Sequence, residues 1–125
     1  MDIETVREYC LSLPHATEDI QWGNDLLFRI GGKIFAGMSL DAAATVRLSC
    51  KCTPEVFAEL IERENISPAP YVARYHWVAL QSYDALGTEE LRKLIKNSYE
   101  MVRAKLPKKT REKLSNLSDV KSNSG

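Results

Sequence analysis

Two adjacent glycines, Gly31 and Gly32, stand between Leu26-Leu27-Phe28-Arg29-Ile30 and Lys33-Ile34-Phe35-Ala36-Gly37-Met38-Ser39. Both runs are rich in the branched and aromatic residues that fit a pleated, half-buried surface. A two-residue link between such strands must follow their right-handed twist, which takes positive φ angles, and glycine adopts these without steric penalty. The pair therefore predicts a tight β-hairpin. A phosphate-binding loop would need a helix N-terminus directly after the glycines, and Lys33-Ile34-Phe35 is strand-like instead. Because an isolated hairpin is marginal in water, the rest of the chain has to extend the sheet and cover a face of it.

Further signals supply both. Thr45-Val46-Arg47-Leu48-Ser49-Cys50 alternates, with Val46, Leu48 and Cys50 on one face. Tyr75-His76-Trp77-Val78-Ala79-Leu80 reads as another strand, and Thr17 to Gln21 as a short one. Ile3, Val6, Cys10 and Leu13 recur at helical spacing behind a capping Asp2, and Pro14 stops the pattern, predicting a first helix over 2–12. Thr53-Pro54-Glu55 sets a capping hydroxyl, a proline and a carboxylate at the start of a second helix, over about 54–64. Ile66-Ser67-Pro68-Ala69-Pro70 cannot continue that helix and is expected to cross as an extended loop.

Thr88, Glu89 and Glu90 open the longest helix. On it Leu91, Leu94, Ile95, Ser98, Tyr99, Val102 and Leu106 fall within an arc of roughly 140°, the width of a core-facing stripe. Pro107 interrupts the pattern, and residues 108–113 read as a short basic turn of helix. The order predicts the α+β class, an antiparallel sheet with helices packed on one face. Phe28, Ile30, Ile34, Leu48, Leu94, Tyr99 and Val102 are expected to share one core.

With 125 residues, 44% of them hydrophobic, the chain has material for a single domain, taken as 1–113, with 114–125 as a polar, disordered tail. No apolar run approaches the roughly 20 residues that span a bilayer, and the start lacks the basic stretch of a signal peptide. Three cysteines are an odd number in a chain that needs no staples, so no disulfide framework is expected. These features predict a soluble, cytoplasmic protein without membrane contact, and a monomer is the expected state.

Five phrases recur together: Phe28 to Ala36, Lys51-Cys52-Thr53-Pro54-Glu55, Pro68 to Arg74, His76 to Leu80, and Ser98 to Lys109. In this order the chain resembles the MmcQ/YjbR family of small bacterial proteins over about residues 1–110. The resemblance implies a CyaY-like α+β fold, a DNA-binding role and no known catalytic residues.

Seventeen Lys and Arg balance seventeen Asp and Glu, which excludes a uniformly polyanion-coating protein. The halves differ: residues 1–50 carry four basic and seven acidic side chains, 4 − 7 = −3, and residues 51–125 carry thirteen and ten, 13 − 10 = +3. Near the C-terminus Arg103, Lys105, Lys108, Lys109, Arg111 and Lys113 face only Glu112. On the last helix Arg92, Lys96 and Arg103 fall within about 40° of one another. The candidate DNA surface is thus Arg92, Lys96, Arg103, Lys105, Lys108 and Lys109, an edge that follows a phosphate backbone without reading bases. The plainer reading is a solvated helix face whose cations complement the helix macrodipole.

A second candidate surface is Tyr71, Arg74, His76 and Trp77, an aromatic and basic cluster suited to stacking or to gripping a small anion. It would make the chain a protein-interaction or small-ligand module. Cys50 and Cys52 stand closer in sequence than the paired ligands of a zinc site usually do, and His76 could approach only from a neighbouring strand. His15, His76 and the cysteines lack a visible catalytic partner, and no nucleophile elbow or phosphate loop is present. Neither metal nor cofactor is expected, and no residue is nominated as catalytic.

Overall fold

The carboxylate of Asp2 accepts a hydrogen bond from the Thr5 amide at 2.8 Å and so starts the first helix, α1 (Ile3–Ser12). Six strands follow in a computed structural model that describes residues 2–21, 23–70 and 72–115. They are β1 (Thr17–Gln21), β2 (Asp25–Ile30), β3 (Lys33–Ser39), β4 (Leu48–Lys51), β5 (Ile66–Pro68) and β6 (Trp77–Leu80). They form one sheet in the order β1-β2-β3-β4-β6-β5, with every neighbouring pair antiparallel. The fold is α+β, with an antiparallel sheet carrying its helices on one face, as the element order predicts.

Gly31 and Gly32 form the expected two-residue turn, with φ of 57° and 82°, and Ile30 pairs with Lys33 across it. Both central residues lie at positive φ, the combination of a type I′ turn. Beyond the turn the register slips: Arg29 pairs with Ile34 but Phe28 pairs with Ala36, leaving Phe35 as a bulge. Simple alternation expects Ile34 in the core. The bulge turns Phe35 inward instead, fully buried, edge-on to Tyr99 at 5.3 Å and 6.3 Å from Phe28 between ring centres. Ile34 is half-buried opposite Arg29. The other expected core residues fit, Val102 as a partly buried member at the margin.

Three strands differ from expectation. The strand expected from Thr45 begins at Leu48, because the Arg47 guanidinium reaches back to the carbonyls of Asp41 and Ala44, closing a turn over 41–47. The segment expected as a loop contains β5, an edge strand where the missing amide of Pro68 costs no ladder bond. The strand expected from Tyr75 begins at Trp77, since Ala73–Tyr75 is a 3-10 turn and His76 adopts a left-handed φ of 65°.

The second helix, α2 (Pro54–Leu60), is capped by Thr53 as its sequence predicts but ends earlier than residue 64. The third, α3 (Thr88–Ala104), lies across β3 and β4. Its stripe residues Leu91, Leu94, Ile95, Ser98 and Tyr99 are all buried. Residues 108–115 form a fourth helix, α4, which runs two residues past the expected end of the domain, and Leu114 packs against the core. The remainder of the expected tail, 116–125, lies outside the described residues. No helix among the described residues is long and apolar enough to cross a membrane.

Candidate functional site

At the end of α3 the chain turns back. Leu106 is 4% exposed and seats against the hairpin, where an added Cβ on Gly31 would stand 2.6 Å from its side chain. Pro107 follows at a position where its missing amide costs nothing, and its carbonyl accepts the first helical bond of α4 from the Arg111 amide at 3.0 Å. An apolar anchor thus sets the angle at which a basic helix meets the last turns of α3.

The result is a cationic surface. Arg103 and Arg111 line one hollow of about 400 Å³ with Glu100, Ala104 and Ser115. Lys108 and Arg111 line a second, of about 350 Å³, with Glu112 and Ser115. Lys105, Lys108 and Lys109 are exposed, and Lys108 stands 3.9 Å from Glu112, a surface contact of little energetic weight. Lys51, at the end of β4, belongs to the same region: its pKa is lowered by burial first and by the nearby Lys105 ammonium second.

The predicted DNA residues do not all gather here. Arg103, Lys105, Lys108 and Lys109 do, and Lys96 is exposed on the flank of α3 two turns earlier. Arg92 is held at the seam of α1 and α3, its guanidinium 5.9 Å from the Tyr9 ring centre and 3.3 Å from a Glu89 oxygen. Helical phase groups Arg92 with Lys96 and Arg103, but α1 lies against the N-terminal half of α3 and engages it. Arg111 and Lys51 are the members that the predicted set leaves out. Arg111 lay within the visible basic run, whereas no local signal marks Lys51, a strand-end lysine brought near by β4.

The second candidate surface is distributed differently. Arg74 is exposed and stacks on Tyr75, 4.8 Å from the ring centre. The His76 ring meets Phe57 edge-on at 5.6 Å, and its carbonyl accepts both the Cys52 amide at 2.9 Å and the Cys52 thiol at 3.3 Å. Trp77 is half-buried on β6, and Tyr71 lies outside the described residues. Burial pushes the Cys10 thiol up to about 12 and the Cys52 thiol up to about 11, and it raises Cys50 well above the usual value. These groups are packed and protonated, the opposite of what a nucleophile or a metal ligand needs.

A family model described as YjbR matches residues 11–101. A crystal structure of a protein from Pseudomonas syringae is similar, with a TM-score of 0.65 and 21% identity, covering 81% of this chain and 98% of that one. At that identity the likeness speaks to the fold. None of the curated proteins compared with the chain matches it.

Proposed function

The chain belongs to the YjbR family, and from that premise we propose that it is a non-enzymatic protein that binds the phosphate backbone of DNA without reading sequence. The surface is the α3–α4 corner, with Arg103, Lys105, Lys108, Lys109 and Arg111 as its phosphate contacts and Lys51 at its edge. The observation that carries this reading is the Leu106 anchor, which folds α4 back so that Arg111 lines a hollow with Arg103. Lys96 extends the surface along α3; Arg92, already engaged at the α1 seam, contributes packing. A zero net charge concentrates the attraction in this corner. The buried, unpaired cysteines support a reducing compartment, the cytoplasm.

Fluorescence anisotropy with two unrelated labelled duplexes, over about 50 to 200 mM salt, tests the proposal. Three to five neutralised phosphates give a log–log salt slope of about −3 to −4.5 and micromolar or weaker affinity near physiological salt. Arg103→Glu with Lys108→Glu should weaken both duplexes alike, because phosphate contacts position the protein without specifying sequence. Absence of binding at low salt, or unchanged binding by the double variant, overturns the assignment. A second reading places stacking recognition on Tyr75, 50% exposed beneath the Arg74 guanidinium. Loss of binding in Arg74→Ala with a flat salt response would favour it.

A further inference from the structure

The two helices that flank the middle of the sheet sit on different strands, α2 against β5 and β6 and α3 across β3 and β4. Their sides stand apart, and a groove of about 560 Å³ opens between them. On α3 its wall is Glu90, Leu94, Asn97, Met101 and Ala104, with Lys93 and Glu100 beside that line. That spacing, steps of three and four, is one unbroken stripe running four turns, about 21 Å at the helical rise. Leu60, Leu86 and Leu94 form a buried apolar floor, and half-buried Val56 and Met101 reach up from it.

The charge on the rim has one dominant sign. Glu59, Glu90 and Glu100 line the groove against the single cation Lys93. Glu90 is held by Arg63 at 2.7 Å, an ion pair that ties the end of α2 to the start of α3. Glu59 and Glu100, both exposed, remain along the open part. An acidic rim is unfavourable to the phosphates that the α3–α4 corner would draw.

We propose that the groove takes a basic amphipathic helix from a partner protein. The apolar face of that helix lies on Val56, Leu94 and Met101, and its lysines or arginines meet Glu59 and Glu100. The length of the stripe matches about 14 residues of helix, the apolar floor supplies the burial, and the carboxylates set the sign of the partner. The inference does not depend on the DNA reading, although Glu100 and Ala104 line both the groove and the hollow beside Arg103 and Arg111.

The test uses a synthetic peptide of about 14 residues with leucines at helical spacing and lysines elsewhere, beside a counterpart with glutamates in place of the lysines. The readout is the ε-methyl signal of Met101, assigned through Met101→Leu and compared with Met38, 2% exposed in the core. The lysine peptide should move the Met101 signal and leave Met38 in place, while the glutamate peptide moves neither. Glu59→Lys with Glu100→Lys, two exposed substitutions, should weaken lysine-peptide binding by about tenfold or more. Failure of the lysine peptide to move Met101, equal binding of both peptides, or unchanged affinity in the charge-reversed variant overturns the proposal. A Met101 shift on dilution without peptide overturns it in favour of a second copy of this chain.

Discussion

Among the described residues Ser98 is the buried polar side chain of the core, fully enclosed on α3. Its hydroxyl donates to the Phe35 carbonyl at 2.6 Å and accepts the Lys51 amide at 3.0 Å, bridging β3 and β4 just beyond their Ala36–Cys50 pair. Replacing it with alanine leaves a buried carbonyl and an amide without partners. Ser98→Ala should therefore cost about 1–3 kcal/mol, seen as a lower urea midpoint at unchanged slope; a loss under about 0.5 kcal/mol would mean that water replaces the hydroxyl. The sequence places Ser98 on the apolar stripe but offers no hint of its two partners, which lie 63 and 47 residues away. The thiols make a second prediction. With Cys52 raised to about 11, roughly one in a thousand is thiolate at pH 8, and Cys10, at about 12, is lower still. The native protein should react slowly with a thiol-specific disulfide reagent at that pH and release three equivalents once denatured. Rapid native labelling would contradict the packing around these residues.

The hairpin and its bulge separate what is local from what is not. The turn is legible because two positive φ angles are a requirement of the link itself, met by Gly31 and Gly32 whatever packs above them. Alanine at Gly32 meets no atom within 4 Å and suffers only the backbone penalty, about 1–2 kcal/mol. Alanine at Gly31 carries a like penalty and also displaces Leu106, whose side chain would lie 2.6 Å away. Gly31→Ala should therefore lower the thermal midpoint more than Gly32→Ala; equal losses would show that Leu106 moves aside freely. The bulge has no such local signature. Ile34 and Phe35 are both good strand residues, and Phe35 enters the core because the space beside Tyr99 on α3 accepts an aromatic ring edge-on. The same argument covers β5: its strand character comes from β6 supplying a ladder, against the tendency of a segment with two prolines.

At the scale of the whole molecule, α3 divides two surfaces of opposite sign, and Glu100 belongs to both. It lines the groove beside α2 and also the hollow shared by Arg103 and Arg111. Glu100→Lys should therefore move the two ligands in opposite directions, weakening the lysine peptide and strengthening DNA binding by a few fold at low salt. Glu59→Lys, on the α2 wall of the groove, should weaken only the peptide. Anisotropy with both labelled ligands on the same preparations checks this pattern. Parallel loss of both would indicate damage to the fold, and a drop in DNA binding by Glu100→Lys would remove the phosphate surface from this corner.

Apart from β5, periodicity settled which segments are helix and which are strand, because the period of apolar residues is a property of neighbours along the chain: α1 behind Asp2, α2 behind Thr53 and the stripe of α3 need no partner to be recognised. It also carried the class of the fold, since one apolar face on each element leaves few ways to bury them all. The basic run after Arg103 was visible for the same reason. Tertiary structure alone decided that Arg92 is engaged with Tyr9 and Glu89, that Lys51 comes beside Lys105, and that Phe35 displaces Ile34. It also decided that α2 and α3 part widely enough to leave a groove. Each of these depends on the distance between residues far apart in sequence, and that distance is set by how side-chain volumes fill the space between sheet and helices, a quantity that no local pattern encodes.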